Sequence, residues 1–245
     1  MLNKIVSGIM LTLLLASLLT LAFNIPQVKA SGTIYIRADG SVDPPTAPIH
    51  RSGNLYTLTA NIINDAIVVE RDNITLDGAG YVVQGPGYGA GVYLSGRSNV
   101  TIKGMQISSF YWGIYLYSSS NNTLLKNTVT ANVFNASVYP LAGLGILLQS
   151  SNHNTILENN VTANQQHGIF LDSSSYNIIS GNTITKQWKN SYVYGVLLTF
   201  SSNNNTIVQN NVSSNYYGVG LQSSSYNTMA RNNVTANGMG ISLVE

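Results

Sequence analysis

The chain has 245 residues, of which 44% are hydrophobic and only 8% charged, whereas roughly a quarter of an average soluble domain is charged. Its surface must therefore be built from Asn, Ser, Thr, Tyr and Gly, and a net charge of +2 argues against nucleic acid as a partner. The absence of cysteine excludes disulfides, thiolate chemistry and Cys-ligated metals.

Lys4 precedes an apolar run from Ile5 to Phe23, which Asn24 and Pro26 end, and Val28-Lys29-Ala30 offers the small residues an export peptidase prefers. Residues 1–30 read as a signal peptide cleaved after Ala30. An uncleaved anchor is the competing reading, because the run could almost span a bilayer. Cleavage removes Lys4 and Lys29 and leaves nine basic against nine acidic side chains, a formally neutral chain. Either way the remainder is expected outside the cytoplasm, secreted to the cell surface or the periplasm. No later stretch is apolar for about eighteen residues, so membrane contact is expected only through the signal segment, if it is retained.

Thr33 to Arg37 then reads as a strand, and Pro44, Pro45 and Pro48 as a loop. Tyr56 to Ile62 and Ile67 to Glu70 resume strand alternation. A solenoid exposes its end strands, so residues 31–66 are expected to form an N-terminal cap and residues 67–245 the repeats.

The repeats open on a glycine followed by an aliphatic pair: Gly91-Val92-Tyr93-Leu94, Gly113-Ile114-Tyr115-Leu116, Gly145-Ile146-Leu147-Leu148, Gly168-Ile169-Phe170-Leu171, Gly195-Val196-Leu197-Leu198, Gly218-Val219-Gly220-Leu221 and Gly240-Ile241-Ser242-Leu243. Successive glycines are 22, 32, 23, 27, 23 and 22 residues apart. Each unit holds three short runs with the strand period, divided by Ser/Asn/Gly clusters. Three short strands cannot bury an apolar face alone, so the units must stack. Equivalent strands then form three parallel sheets with about 4.8 Å between coils. The expected fold is all-β, a right-handed single-stranded parallel β-helix of about seven or eight coils; the long, uneven period favours the right-handed form.

Three asparagine columns support this alignment. Asn122, Asn154, Asn177, Asn205 and Asn227 share one phase; Asn127, Asn159, Asn182, Asn210 and Asn232 share a second; Asn132, Asn164, Asn215 and Asn237 share a third, where Phe110 and Gln187 substitute. A buried amide must satisfy its donors and acceptor, and stacked amides can do so in ladders. The columns read as structural. The last coil shows no sequence for a cap, which leaves self-association or continuation of the solenoid open.

The unit Gly-Ile-x-Leu-x-Ser-Ser-x-x-Asn-x-Ile-x-x-Asn-x-Ile, introduced by Asp72-Asn73-Ile74-Thr75-Leu76-Asp77-Gly78, resembles the NosD-like secreted right-handed β-helix family of periplasmic copper-binding and archaeal surface type. The resemblance covers about Thr33 to Glu245. It implies the fold and export, and for some members a part in maturing the copper site of nitrous-oxide reductase. A copper role calls for His and Met clusters, whereas the mature chain has His50, His153, His167, Met105, Met229 and Met239. No metal or cofactor is expected from these residues.

Polysaccharide lyases and hydrolases also use this fold, and glycoside hydrolysis needs two carboxylates across one cleft. Six acidic residues (Asp39, Asp43, Asp65, Glu70, Asp72, Asp77) precede the repeats, and only Glu158 and Asp172 lie in the coils before Glu245. Column alignment pairs Glu158 with Lys126 and leaves Asp172 alone, so no catalytic residue is assigned.

The two long intervals carry extra residues, Val133–Leu144 and Trp188–Tyr194, at one and the same turn. In other coils that turn reads Phe110-Tyr111-Trp112, Gln165-Gln166-His167 and Tyr216-Tyr217. Beside it runs an outward phase that is apolar: Tyr93, Tyr115, Leu147, Phe170 and Leu197. Two readings stay open: a sugar-binding face made by Tyr111, Trp112, Tyr115, His167, Phe170, Trp188, Tyr192, Tyr194, Tyr216 and Tyr217, or a stripe buried under the insertions as a satellite cluster.

Asn-X-Ser/Thr sequons at Asn73, Asn99, Asn121, Asn135, Asn160, Asn204, Asn211 and Asn233 are candidate glycosylation sites; glycans there would solubilise a surface with few charges. The combined expectation is a non-catalytic exported module that binds polysaccharide or another envelope glycan. The alternatives are a polysaccharide lyase or hydrolase, and a copper-site maturation protein.

Overall fold

The computed structural model describes residues 32–133, 142–187 and 193–244. The expected signal segment, Trp188, Tyr192, the sequon at Asn135, and Glu245 lie outside the described residues.

The described residues form strands and turns without helix, arranged as three sheets. We call these A, B and C in the order in which the chain enters them. The coil at the centre of the stack runs from Leu144–Gln149 in sheet A to Thr155–Leu157 in B and Asn160–Thr162 in C. It then returns to A at Ile169–Asp172. Each strand pairs in parallel with its counterparts one coil earlier and one coil later, and equal phases of the repeat meet: Ile146 opposes Ile169, Ile156 opposes Ile179, and Val161 opposes Ile184. The chain is a parallel β-solenoid of about eight turns.

The segment before the first glycine repeat enters the same sheets. Ile34–Ile36 pairs in parallel with Ile67–Val69 in sheet A, Leu55–Leu58 with Thr75–Asp77 in B, and Ile62–Ile63 with Val82–Gln84 in C. Two strands run against this direction. Val42–Asp43 lies antiparallel on Ile34–Ile36, and Ile49–Ser52 lies antiparallel on Leu55–Leu58. Together they cover the first edges of sheets A and B. Tyr56 is fully buried there, and its hydroxyl donates to the Gly40 carbonyl at 2.8 Å. Arg37 closes the corner through ion pairs with Asp43 and Glu70, its guanidinium 4.0 Å from the centre of the Tyr35 ring.

The short strands follow from a local rule. In the core coils each three-residue strand of sheets B and C has its middle residue inside, as with Leu124, Val129, Ile156 and Val161. The residue after the strand turns the corner in the left-handed region: Lys126 (φ 54°), Ala131 (φ 51°), Glu158 (φ 53°) and Ala163 (φ 55°). The next residue is an inward asparagine. Such a corner breaks the ladder of backbone bonds, and the amide repairs it. Asn159 Nδ2 donates to the carbonyls of Leu124 (2.9 Å) and Leu157 (3.1 Å) and to Asn182 Oδ1 (3.0 Å). Its Oδ1 accepts from the backbone N and the Nδ2 of Asn127. All three expected columns behave in this way. Where the third lacks an asparagine, Gln187 Oε1 accepts from Asn164 N at 2.9 Å, and the Phe110 backbone donates to Asn132 Oδ1 at 3.1 Å.

A fourth ladder was not legible beforehand. Ser119, Ser151, Ser174 and Ser202 are fully buried in the turn from sheet A to sheet B. Each backbone N–H donates to the hydroxyl one coil on, at 3.0 Å (Ser119 to Ser151), 2.9 Å (Ser151 to Ser174) and 3.0 Å (Ser174 to Ser202). A serine-rich turn looks like solvent-exposed loop chemistry, and only the stacking puts its middle residue inside.

Candidate carbohydrate-binding rim

The aromatic rim lies where the chain passes from sheet C back to sheet A. The opening glycines make this passage narrow: a Cβ on Gly145 would stand 2.5 Å from the Gly168 carbonyl and 2.6 Å from Val161 Cγ1. With the backbone of each coil pressed on the next, the residue before each glycine is directed outward. The resulting column runs Trp112, Leu144, His167, Tyr194 and Tyr217, with Trp112 opposite Leu144 and Tyr194 opposite Tyr217 in the sheet. The second outward column runs Tyr93, Tyr115, Leu147, Phe170, Leu197 and Gly220. Both long intervals fall at this passage, after Thr128–Thr130 and after Thr183–Thr185 of sheet C.

The two columns merge into an apolar layer outside sheet A. Leu144, Leu147, Phe170, Tyr194 and Leu197 are all buried and form a cluster of their own, separate from the solenoid interior, with Trp112, Tyr115 and Tyr217 packed against it. Ring contacts run through it, at 5.4 Å between the centres of His167 and Phe170, 5.7 Å between His167 and Tyr194, and 4.6 Å between the stacked rings of Tyr194 and Tyr217. Gly220 belongs to the second column because the Tyr194 ring lies over it: a Cβ there would meet that ring at 2.4 Å.

The ten rim residues named from sequence therefore divide. Phe170 and Tyr194 are 3% and 5% exposed, and Tyr111 and His167 are 8% exposed; these four build the footing rather than the open face. Trp112, Tyr115 and Tyr217 are half-buried, and Tyr216 is exposed, its ring edge-on to Tyr217 at 4.8 Å. Trp112 and Tyr115 are adjacent, with ring centres 5.3 Å apart. Trp188 and Tyr192 lie outside the described residues. The middle of the stripe is buried, and accessible rings remain at both of its ends.

Polar groups line the same face. Tyr115 donates its hydroxyl to Gln149 Oε1, and Gln149 Nε2 donates to Asp172 Oδ2 at 3.0 Å. Burial holds the Tyr115 phenol up at about 12, with Tyr93, Tyr117 and Asp172 adding to the effect, so it remains a donor at neutral pH. His167 Nδ1 accepts from the Tyr194 backbone N–H at 3.0 Å, which puts any ring proton on Nε2.

Burial pushes the His167 imidazole down to about 4, below the ordinary histidine value of about 6.5. The unfolded chain therefore takes up a proton between these two values that the folded chain refuses. The neutral ring's contribution to stability is whole above about pH 6.5 and is lost as the pH falls towards 4. Thermal unfolding between pH 7 and pH 4 checks this: the parent should lose stability through that window. His167→Asn keeps an acceptor for the Tyr194 N–H and should show a flatter profile.

The acidic residues do not assemble a catalytic pair among the described residues. Lys126 and Glu158 form the expected surface ion pair at 3.4 Å. Asp172 also accepts from Ser173 Oγ at 2.9 Å. Near the first coil, Asp39 accepts from Ser41, Asp43 faces Arg37, and Asp77 sits 2.9 Å from Lys103. Each of these carboxylates has a local partner.

A copper ion needs converging soft or imidazole donors. Among the described residues no group of three His, Cys, Asp or Glu side chains converges. His153 stacks on Tyr176, His167 is sealed in the satellite layer, and Met105 is in the core. These donors do not fit a copper site. All seven described sequon asparagines are exposed, whereas the ladder asparagines one residue away in the core coils are buried. Among the described residues no helix is long and apolar enough to cross a membrane.

The architecture is thus that of a parallel β-helix with an apolar satellite layer on one sheet. The family model described as periplasmic copper-binding protein (NosD) matches residues 72–245, and the chain belongs to that family, an extracytoplasmic one. A search of curated proteins finds no match. Among solved structures, a variant of the periplasmic alginate epimerase AlgG superposes with a TM-score of 0.57 at 17% identity, over 87% of this chain and 55% of that chain. A second AlgG structure gives a TM-score of 0.57 at 16% identity, over 81% of this chain and 68% of that chain. The likeness is one of fold, and the chain spans about half the length of the first of these.

Proposed function

We propose that the protein is an exported, non-catalytic β-helix module that binds polysaccharide or another envelope glycan, at the cell surface or in the periplasm. The observation that carries this reading is two pairs of accessible rings, Trp112 with Tyr115 and Tyr216 with Tyr217, at the two ends of a buried apolar layer whose face also carries Gln149 and Asp172. Aromatic faces cover pyranose C–H surfaces, while amide and phenol groups take the hydroxyls; such rings suit half-wet contacts. The footing holds them without ligand, so little side-chain entropy is lost on binding. The fold shared with a periplasmic alginate epimerase is consistent with work on sugars. The separate engagement of Glu158 and Asp172 supports binding rather than hydrolysis. The exposed sequons are candidate glycan carriers where the host modifies them.

A glycan array read together with product release tests the reading. Binding without release of shortened sugars is expected. Trp112→Ala combined with Tyr216→Ala should weaken binding about tenfold, or ~1.4 kcal/mol. Product release would favour the lyase or hydrolase alternative, and an array without any hit would remove the proposal.

A further inference from the structure

The turn from sheet A to sheet B, on another edge of the solenoid, carries a second and more exposed set of rings. In the first coils its corner residue is asparagine: Asn73, Asn99 and Asn121, with φ of 58°, 55° and 60°. In later coils the same left-handed corner is His153 (φ 57°), Tyr176 (φ 60°) and Tyr226 (φ 59°). The coil between the two tyrosines keeps Asn204 at the corner and has one additional residue in the turn. There Phe200, in the column of Ser150, Ser173 and Ser223, also takes a left-handed conformation (φ 52°). Four successive coils thus each present a ring on this edge. Tyr176 is 54% exposed, Phe200 67% and Tyr226 84%, and the exposed His153 stacks on Tyr176 at 5.1 Å and 9°.

Asparagine visits the left-handed region readily, whereas a bulky side chain there is an outlier with a steric penalty. The folding rule of this solenoid is met by Asn at the corner and Ser in the Phe200 column. Rings at these places add nothing to the core and leave apolar surface in water. Large apolar groups left exposed together on one edge mark interaction surfaces.

The surroundings indicate the kind of partner. Residues 118–122, 150–154, 173–177, 200–205 and 223–227 contain no Lys, Arg, Asp or Glu. Beside the rings runs a line of short polar groups bonded from coil to coil: Asn152 Oδ1 accepts from Ser175 N at 2.7 Å, and Ser175 Oγ from Asn203 N at 2.9 Å. Each of these coils contributes one ring, at the corner in three of them and at the start of the turn for Phe200, and the coils follow one another at about 4.8 Å, close to the length of one pyranose residue in an extended chain. A membrane would call for basic residues beside the rings, and a tight protein partner for a larger apolar area.

Resting on the carbohydrate reading above, we infer that this edge is a binding track for a neutral, extended polysaccharide, which lies along the solenoid axis with about one sugar per coil. The test uses the full chain, produced in a host that does not glycosylate sequons, in affinity electrophoresis through gels containing mixed-linkage β-glucan, galactomannan, dextran or alginate. At least one of the neutral polymers should retard the parent protein. The triple variant Tyr176→Asn, Phe200→Ser, Tyr226→Asn restores the residues used at equivalent places in other coils. It should fold with an unfolding midpoint no lower than the parent's, and lose retardation at least tenfold. The rim variant Trp112→Ala, Tyr216→Ala serves as the comparison. If it abolishes retardation while the triple variant binds like the parent, the track is overturned and the broader carbohydrate reading stands. Retardation by alginate alone also overturns the track, and retardation by none of the four polymers overturns both.

Discussion

Asn159→Ala should unfold at a much lower urea concentration than the parent, with a loss of several kcal/mol. The amide lies at the centre of the second ladder and is 1% exposed. Its removal takes one donor each from the carbonyls of Leu124 and Leu157, leaves the backbone N–H of Asn127 without its acceptor, and takes one of the two acceptors of Asn127 Nδ2. A buried polar group left without a partner costs roughly 1–3 kcal/mol, and none of these groups can turn to water, because coils lie above and below. In a solenoid the stability is close to a sum of interfaces between neighbouring repeats, so the damage falls on both interfaces of this coil. The sequence neighbour supplies the control. Asn160 is exposed and points away from the ladder, and Asn160→Ala should change stability by no more than about 0.5 kcal/mol. Similar losses from the two substitutions would mean that the ladder does not carry the fold.

Gly168→Ala should be the second severe substitution, although it adds a single methyl group. Its Cβ would stand 2.6 Å from the Gly195 carbonyl and 2.6 Å from Ile184 Cγ2. The carbonyl cannot retreat, since it belongs to the next coil of the same stacked column. Overpacking of this kind costs about 1–3 kcal/mol where neighbours can adjust, and the fixed backbone puts this site at the upper end or beyond. The constraint is one of space. Gly53 is the opposite case: nothing lies within 4 Å of its Cβ position, and its φ is +62°. Asparagine tolerates that conformation, so Gly53→Asn should be nearly neutral. Chemical denaturation of the two variants beside the parent measures both, and a near-neutral Gly168→Ala would mean that the coils stack more loosely than described.

These two sites show why the fold could be read ahead of the structure. A glycine that recurs after 22 or 23 residues in four of six intervals, and asparagines five residues apart, record contacts between neighbouring coils, because in a stacked repeat each residue meets its own counterpart. Long-range packing is thereby written at short range. The ladder substitutions Phe110 and Gln187 and the ion pair of Lys126 with Glu158 could be placed for the same reason.

The candidate site was legible only in part. The rim could be located because its rings recur at one phase, but phase says which way a side chain points and not what lies over it. Phe170 and Tyr194 point outward as expected and are nevertheless buried. The rings at the A-to-B turn were not legible for a related reason: Tyr176 and Tyr226 each stand alone among serines and asparagines, and Phe200 sits at an irregular position. Only the corner geometry brings them onto one edge.

From the repeat alone came the solenoid, its interior and its three amide columns, since a periodic chain that must bury its apolar phase has few ways to stack. Left to the tertiary structure were the burial of the second apolar layer, the serine ladder inside the A-to-B turn and the alignment of exposed rings along it. Each of these depends on how closely turns pack and on what covers an outward face, and such surroundings have no period for a sequence to record.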